Sequence, residues 1–349
     1  MKKIIFILST CFFLSSCQAP TTVVSRGVNT DIEKERIIMQ GIALETFYKR
    51  LEKLNNYAWP ILSSSKPFCK SDTKYDIGII AISLEDLRTE LRQAAKEKIG
   101  ISKELKILFL IKNSPSFNAD LRKGDIIREI KSKNFKWTHE DIIKNIRLRN
   151  FNADTIKITI ERDGQILSYN ITPTLICDYG IILSQNNNLN AYADGKNIFV
   201  TQGMMRFIEE DKELQFILSH ELAHNSEKHI SKRVNNSILG TILDVAAASA
   251  GVNTRGTFGN IGAQMYSQDF EREADYISMY ILTLAKIDSR GVENFWRRLS
   301  AENPRSIDSY NSSHPTSPER WANIAATRKE IEYKINNNIE LVPERKDKS

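Results

Sequence analysis

Histidine is scarce in this chain, with five in 349 residues, and cysteine is scarcer still, with four. No internal repeat and no long low-complexity segment interrupts it. Aliphatic residues are not lacking: 41% hydrophobic, 26% charged and 9% aromatic is a globular composition, which excludes a disordered chain. Two apolar stretches stand out, Ile4 to Leu14 and Ile238 to Val252, and both are too short to cross a bilayer as a helix. With a mean hydropathy of −0.36 they exclude a polytopic membrane protein. There is no long basic run either. Lys and Arg number 49 against 43 Asp and Glu, and the resulting +6 is spread thinly, so nucleic acid is not an expected partner. The length suggests about two domains and is ample for a sizeable core.

Lys2 and Lys3 precede the run Ile4 to Leu14, the layout of a signal-peptide core. The run closes on Leu14-Ser15-Ser16-Cys17, which resembles the lipobox of bacterial lipoproteins. The resemblance implies a signal peptide over 1–16, cleavage before Cys17, acylation of that residue and a lipidated tether over 17–30. Membrane contact would then come through the N-terminal lipid. Gln18 follows the cysteine where Asp would mark retention, so the expected location is the outer membrane, facing the periplasm. The alternative is a plain secretory signal that happens to contain Cys17.

Thr30 and Glu33 read as a capping box opening a helix to about Tyr57, within an N-terminal segment 31–66 that packs on the rest through Ile38, Ile42, Phe47, Leu51 and Leu54. Trp59-Pro60 is expected to end it. From Phe68 to Ile176 the texture changes to short strands, with helical stretches such as Leu84 to Lys98. Thr155 to Ile160 alternates with period two, and Asp163-Gly164 is a hairpin turn signal. Asn113-Ser114-Pro115, Leu121-Arg122-Lys123-Gly124-Asp125-Ile126 and Arg162-Asp163-Gly164 resemble a PDZ domain of the bacterial HtrA type, expected over 67–177. Tyr75 to Ile79 would then be its carboxylate-binding loop. By that resemblance a peptide would add as a strand beside Ile77 to Ile80, and other envelope proteins could be recruited there. Cys69 and Cys177 bracket the insert. An exported chain meets an oxidising compartment, and an inserted domain brings its two ends together, so a disulfide between them is expected. Two unpaired buried thiols are the alternative.

His220-Glu221-Leu222-Ala223-His224 lies in a stretch expected to be helical from about Asp211 to Lys232. Two imidazoles four residues apart share a helix face and can grip one Zn²⁺, while Glu221, one step round, can take a proton from an attacking water. Glu271-Arg272-Glu273-Ala274-Asp275 offers a third ligand, Glu271, and in Asp275 an acceptor for the free N–H of a ligand histidine. A solvated acidic helix face is the bland reading of that segment taken alone. His229, nine residues after His220, is expected on the opposite side of the helix, in a structural role. His139 has no partner pattern. Ile238 to Val252 reads as a core helix, or as the start of a lid.

Together with Asn190-Ala191-Tyr192 and Gly195 to Gly203, these motifs resemble the HtpX/BepA-like zinc metallopeptidases, a group that includes the CAAX prenyl proteases. The resemblance implies a peptidase domain over 178–349, one Zn²⁺ per chain on His220, His224 and Glu271, and Glu221 as general base. It also implies an edge strand Asn197, Ile198, Phe199, Val200 and Thr201 for extended substrate, and His314 as a residue able to occupy the metal's open position. The expected fold class is α+β: a mostly helical gluzincin-type domain with a small edge-strand sheet, plus a PDZ-like α/β insert. Protein or peptide substrates follow. A chaperone-like assembly factor with little proteolysis is the alternative function.

Overall fold

The computed structural model describes residues 22, 25–148, 151–249, 254–255, 257, 267–302 and 317–346. The lipobox with Cys17, and His314, lie outside the described residues.

Helix α1, Asn29–Ser64, begins without the expected capping box: Val28 occupies the cap position and makes no side-chain cap bond, and Glu33 pairs with Arg36 instead. The helix also runs past Trp59-Pro60. Trp59, Ile61 and Leu62 are buried in the main core, and that burial outweighs the donor lost at Pro60. Its N-terminal half turns a different face inward from the one expected. Ile38 and Ile42 are exposed, while Ile37, Gly41 and Leu44 are buried. The reason is close packing: a Cβ at Gly41 would lie 2.5 Å from Cγ of Lys98.

The insert opens with β1, Thr73–Asp76, and continues through β2, Ile79–Ile82. Leu84 to Lys98 is not one helix. Two 3₁₀ turns, Leu84–Asp86 and Thr89–Leu91, lead into a short helix α2, Arg92–Ile99, which a left-handed Gly100 ends. Then come β3, Lys106–Leu110, and β4, Ile126–Ser132, followed by helix α3, His139–Leu148. The strands β5, Ile156–Arg162, β6, Gln165–Ile171, and β7, Thr174–Cys177, complete it. An antiparallel sheet runs β2-β3-β4-β5-β6. Alternation in β5 buries Ile156, Ile158 and Ile160 completely. Asp163 and Gly164 both take positive φ, as a two-residue hairpin turn of that type needs. Arg162 forks onto the buried Asp125 at 2.7 and 2.8 Å, joining two of the motifs seen in the sequence. At the base, β1 pairs antiparallel with β7, and Cys69 is bonded to Cys177 with their Cα atoms 5.7 Å apart.

Strand β8, Gly180–Ser184, β9, Ala191–Ala193, and β10, Asn197–Thr201, form a second sheet in the order β8-β10-β9. This corrects an expectation. Asn197 to Thr201 is the central strand, paired on both sides, and has no free edge. The turn at Asp194 and Gly195 returns the chain so that β9 lies outermost. Helix α4, Gln202–Phe207, follows, and then α5, Asp211–Ser226, closed at its start by Glu210 and Glu213. The helix expected to reach Lys232 stops early, because Lys228 adopts a left-handed φ of 58° and redirects the chain into α6, His229–Ser249. Ile238, Leu239, Ile242, Leu243 and Val245 on α6 are exposed, so this stretch is not a core helix. The remaining helices are α7, Ser267–Leu284, α8, Glu293–Glu302, and α9, Pro318–Asn336. Helix α5 packs along α7, burying Leu214, Leu218, Leu222, Ala274, Ile277 and Ile281 in one core with α1. No helix among the described residues is long and apolar enough to cross a membrane.

Candidate metal centre

His220 and His224 project from one face of α5, one turn apart, toward Glu271 on α7. His220 Nε2 lies 3.0 Å from His224 Nε2 and 3.3 Å from Glu271 Oε2, and His224 Nε2 lies 3.2 Å from Glu271 Oε1. The donor atoms all fall within 4.8 Å of one another, and they are the described His, Cys, Asp and Glu side chains that meet in this way. A tetrahedral zinc with bonds of about 2.0–2.1 Å holds its donors about 3.3 Å apart. The spacings of 3.0 to 3.3 Å, with His220 against Glu271 Oε2 and His224 against Oε1, are of the size such an ion needs. Glu221 is 2% exposed and follows His220 directly on the same helix.

Around these donors lies a second set of contacts. Asp275, one turn beyond Glu271 on α7, sits 3.0 Å from His220 Nδ1. Arg320, from the first turn of α9, grips Asp275 through Nε at 2.7 Å and Nη2 at 2.9 Å, and reaches Glu271 through Nη1 at 3.1 Å. Its guanidinium lies 4.7 Å from the ring centre of Trp296, whose ring in turn lies 5.5 Å from that of His220. Ser317 caps α9 by accepting from Arg320 N, which anchors that turn. Helix α5 is tied to the sheet by Asn225, which accepts from Gly195 N at 2.8 Å and donates to the Asn197 carbonyl at 3.1 Å.

Charge is distributed unevenly. Burial pulls the His220 imidazole down, but hydrogen bonds to Asp275 and Glu271 overcome it, and its pKa is pushed up to about 9. Burial dominates at His224, where the pKa falls to about 4. Against the cost of burial, Arg320 holds the Asp275 carboxyl below its ordinary range, with His220 adding to the effect.

Five residues singled out in the sequence, His220, Glu221, His224, Glu271 and Asp275, thus meet in one buried site. Asn197 to Thr201 stand beside it as a central strand. No spacing in the sequence places Arg320 beside those five residues, and Trp296 carries no signal at all. His229 was set aside, yet it faces His224, with its Nδ1 3.0 Å from Nδ1 of that ring. A histidine five residues beyond the second motif histidine was the one available hint.

An HExxH helix lying along an ExxxD helix is the arrangement of a metallopeptidase. Residues 166–328 match peptidase family M48 and residues 76–172 match the PDZ domain. Among named relatives, the beta-barrel assembly-enhancing protease of Yersinia pestis is 28% identical over 34% of this chain and 27% of its own length. Metalloprotease LoiP of Escherichia coli (strain K12) is 28% identical over 42% of this chain and 61% of its own. Metalloprotease YcaL of the same organism is 30% identical over 46% and 65%. The chain therefore spans between about a quarter and two thirds of the length of these relatives.

Proposed function

We propose that this protein is a zinc endopeptidase of the bacterial cell envelope, acting on misfolded or misassembled envelope proteins. The observation that carries the reading is the triangle of His220, His224 and Glu271 donors, 3.0 to 3.3 Å apart, with Glu221 adjoining it. Those three residues would hold a zinc ion, which when bound would supply a Lewis acid for the scissile carbonyl and the attacking water. Glu221 takes the proton from that water and passes it to the departing amine. Asp275, 3.0 Å from His220 Nδ1, favours the tautomer that leaves Nε2 for the ion, and Arg320 keeps Asp275 ionised and in place.

Substrate is assigned to β9, which closes its sheet among the described residues and packs on α5, where Tyr192 is exposed and stacks on Phe199 at 4.7 Å. The edge of β2, unpaired among the described residues, serves the PDZ domain by adding a client segment as a strand. The name of one relative, a beta-barrel assembly-enhancing protease, supports an envelope setting, and the N-terminal sequence supports export, acylation at Cys17 and anchoring at the outer membrane facing the periplasm. On the sequence resemblance alone, His314 is a residue able to occupy the metal's open position.

The test is Glu221→Gln. This variant is expected to keep stoichiometric zinc and to lose peptide hydrolysis by a factor of about 10² or more. Undiminished cleavage by Glu221→Gln would remove the mechanism. A wild-type protein that binds no zinc would remove the metal.

A further inference from the structure

His229 lies behind the proposed metal site, on the far side of His224 from the donors. It is buried, and its ring is held between two groups of α7. Phe270 stacks on it at 4.7 Å with an 18° tilt, and three residues along the same face Glu273 Oε2 meets His229 Nε2 at 3.0 Å. The left-handed Lys228 brings it there, by ending α5 and starting α6 so that the ring faces back toward His224.

The hydrogen positions follow from the partners. Glu273 stands near two cations, Lys232 at 4.0 Å and Arg345 at 3.9 Å, and a carboxylate so placed accepts. His229 Nε2 therefore carries the hydrogen given to Glu273, and in the neutral ring Nδ1 is left with a lone pair. That lone pair faces His224 Nδ1 at 3.0 Å, a distance at which one of the two nitrogens must donate. His224 Nδ1 carries that hydrogen, and its Nε2 is left free to face Glu271 and His220. Asp275 does the same for His220 in a single step, at 3.0 Å from its Nδ1.

We propose that His229 and Glu273 are positioning residues, a carboxylate–imidazole relay that fixes the tautomer and orientation in which His224 binds the metal. The proposal rests on the zinc reading above. Arg345 extends the relay to the C-terminal tail, since it also holds Glu227 at the end of α5 through contacts of 2.9 and 2.7 Å.

The test measures zinc affinity of the full-length protein by competition with a chromophoric chelator, beside thermal unfolding of the metal-free form. His229→Leu removes the acceptor and is expected to weaken zinc binding about 10- to 100-fold. His229→Asn puts a carbonyl oxygen near the place of Nδ1 and is expected to restore most of that affinity. Glu273 is partly exposed, so Glu273→Gln leaves the metal-free unfolding midpoint unchanged while zinc binding weakens. The proposal is overturned if His229→Leu binds zinc as tightly as wild type. It is also overturned if Leu and Asn lose affinity equally and in step with stability, or if Glu273→Gln binds unchanged. Absence of zinc from the wild-type protein would instead overturn the reading on which the relay depends.

Discussion

Replacing Arg320 by Met tests the charge balance of the site directly. The side chain is 4% exposed, and its guanidinium satisfies two buried carboxylates at once, Asp275 at 2.7 and 2.9 Å and Glu271 at 3.1 Å. Methionine retains much of the apolar stem and keeps none of the charge. Breaking a buried ion pair from one side leaves the partner desolvated and uncompensated, at a cost of about 3–5 kcal/mol. Set against a typical domain stability of about 5–15 kcal/mol, this is a large fraction. The expected result is a metal-free protein whose unfolding free energy, measured by urea titration followed by tryptophan fluorescence, falls by that amount. Added zinc should recover part of the loss by supplying positive charge at Glu271. Arg320→Lys keeps the charge but not the fork onto Asp275, so its loss should be intermediate. A loss below about 1 kcal/mol for Arg320→Met, the scale of an exposed pair, would refute the reasoning.

Two further outcomes follow from the same geometry and from the cross-link. His220, with its pKa pushed up to about 9, holds a proton in the metal-free site at neutral pH, whereas His224, at about 4, does not. Zinc needs the His220 lone pair, so each ion bound at pH 7 should displace about one proton, and affinity should climb with pH until about 9. Calorimetric titrations in buffers of different ionisation enthalpy measure this, and zero release would contradict it. The linked stability has the opposite sense: the raised pKa stabilises the metal-free fold fully below the unfolded value of about 6.5 and ceases to do so as pH rises through about 9. Separately, Cys69 and Cys177 close a loop across 108 positions, so reduction should cost up to about 4–5 kcal/mol in the chain-entropy view. Identical urea midpoints with and without reductant would exclude that contribution.

The metal triangle was legible in the sequence because its spacing is enforced locally. Residues four apart share a helix face whatever the rest of the chain does, so His220 with His224, and Glu271 with Asp275, could be paired before any fold was known. The period-two isoleucines of β5 and the Asp163-Gly164 turn were readable for the same reason. Strand order was not. Asn197 to Thr201 has the pattern of a strand, but whether it lies at an edge depends on where Ala191–Ala193 and Gly180–Ser184 pair, a tertiary matter. His229 was misjudged because a continuous helix was extrapolated through Lys228. A lysine at positive φ gives no local warning of the kind that Gly or Asn would. On α1 the apolar spacing pointed to the face of Ile38 and Ile42, but with Gly41 packed against Lys98 it is Ile37 and Leu44 that turn inward.

The bond between Cys69 and Cys177 makes the segment carrying the PDZ domain a covalent macrocycle. A single backbone nick anywhere in that ring opens it without releasing a fragment, because both ends remain stapled to the catalytic half. An enzyme exposed to autolysis, or to neighbouring proteases, would keep its adaptor attached after one cut.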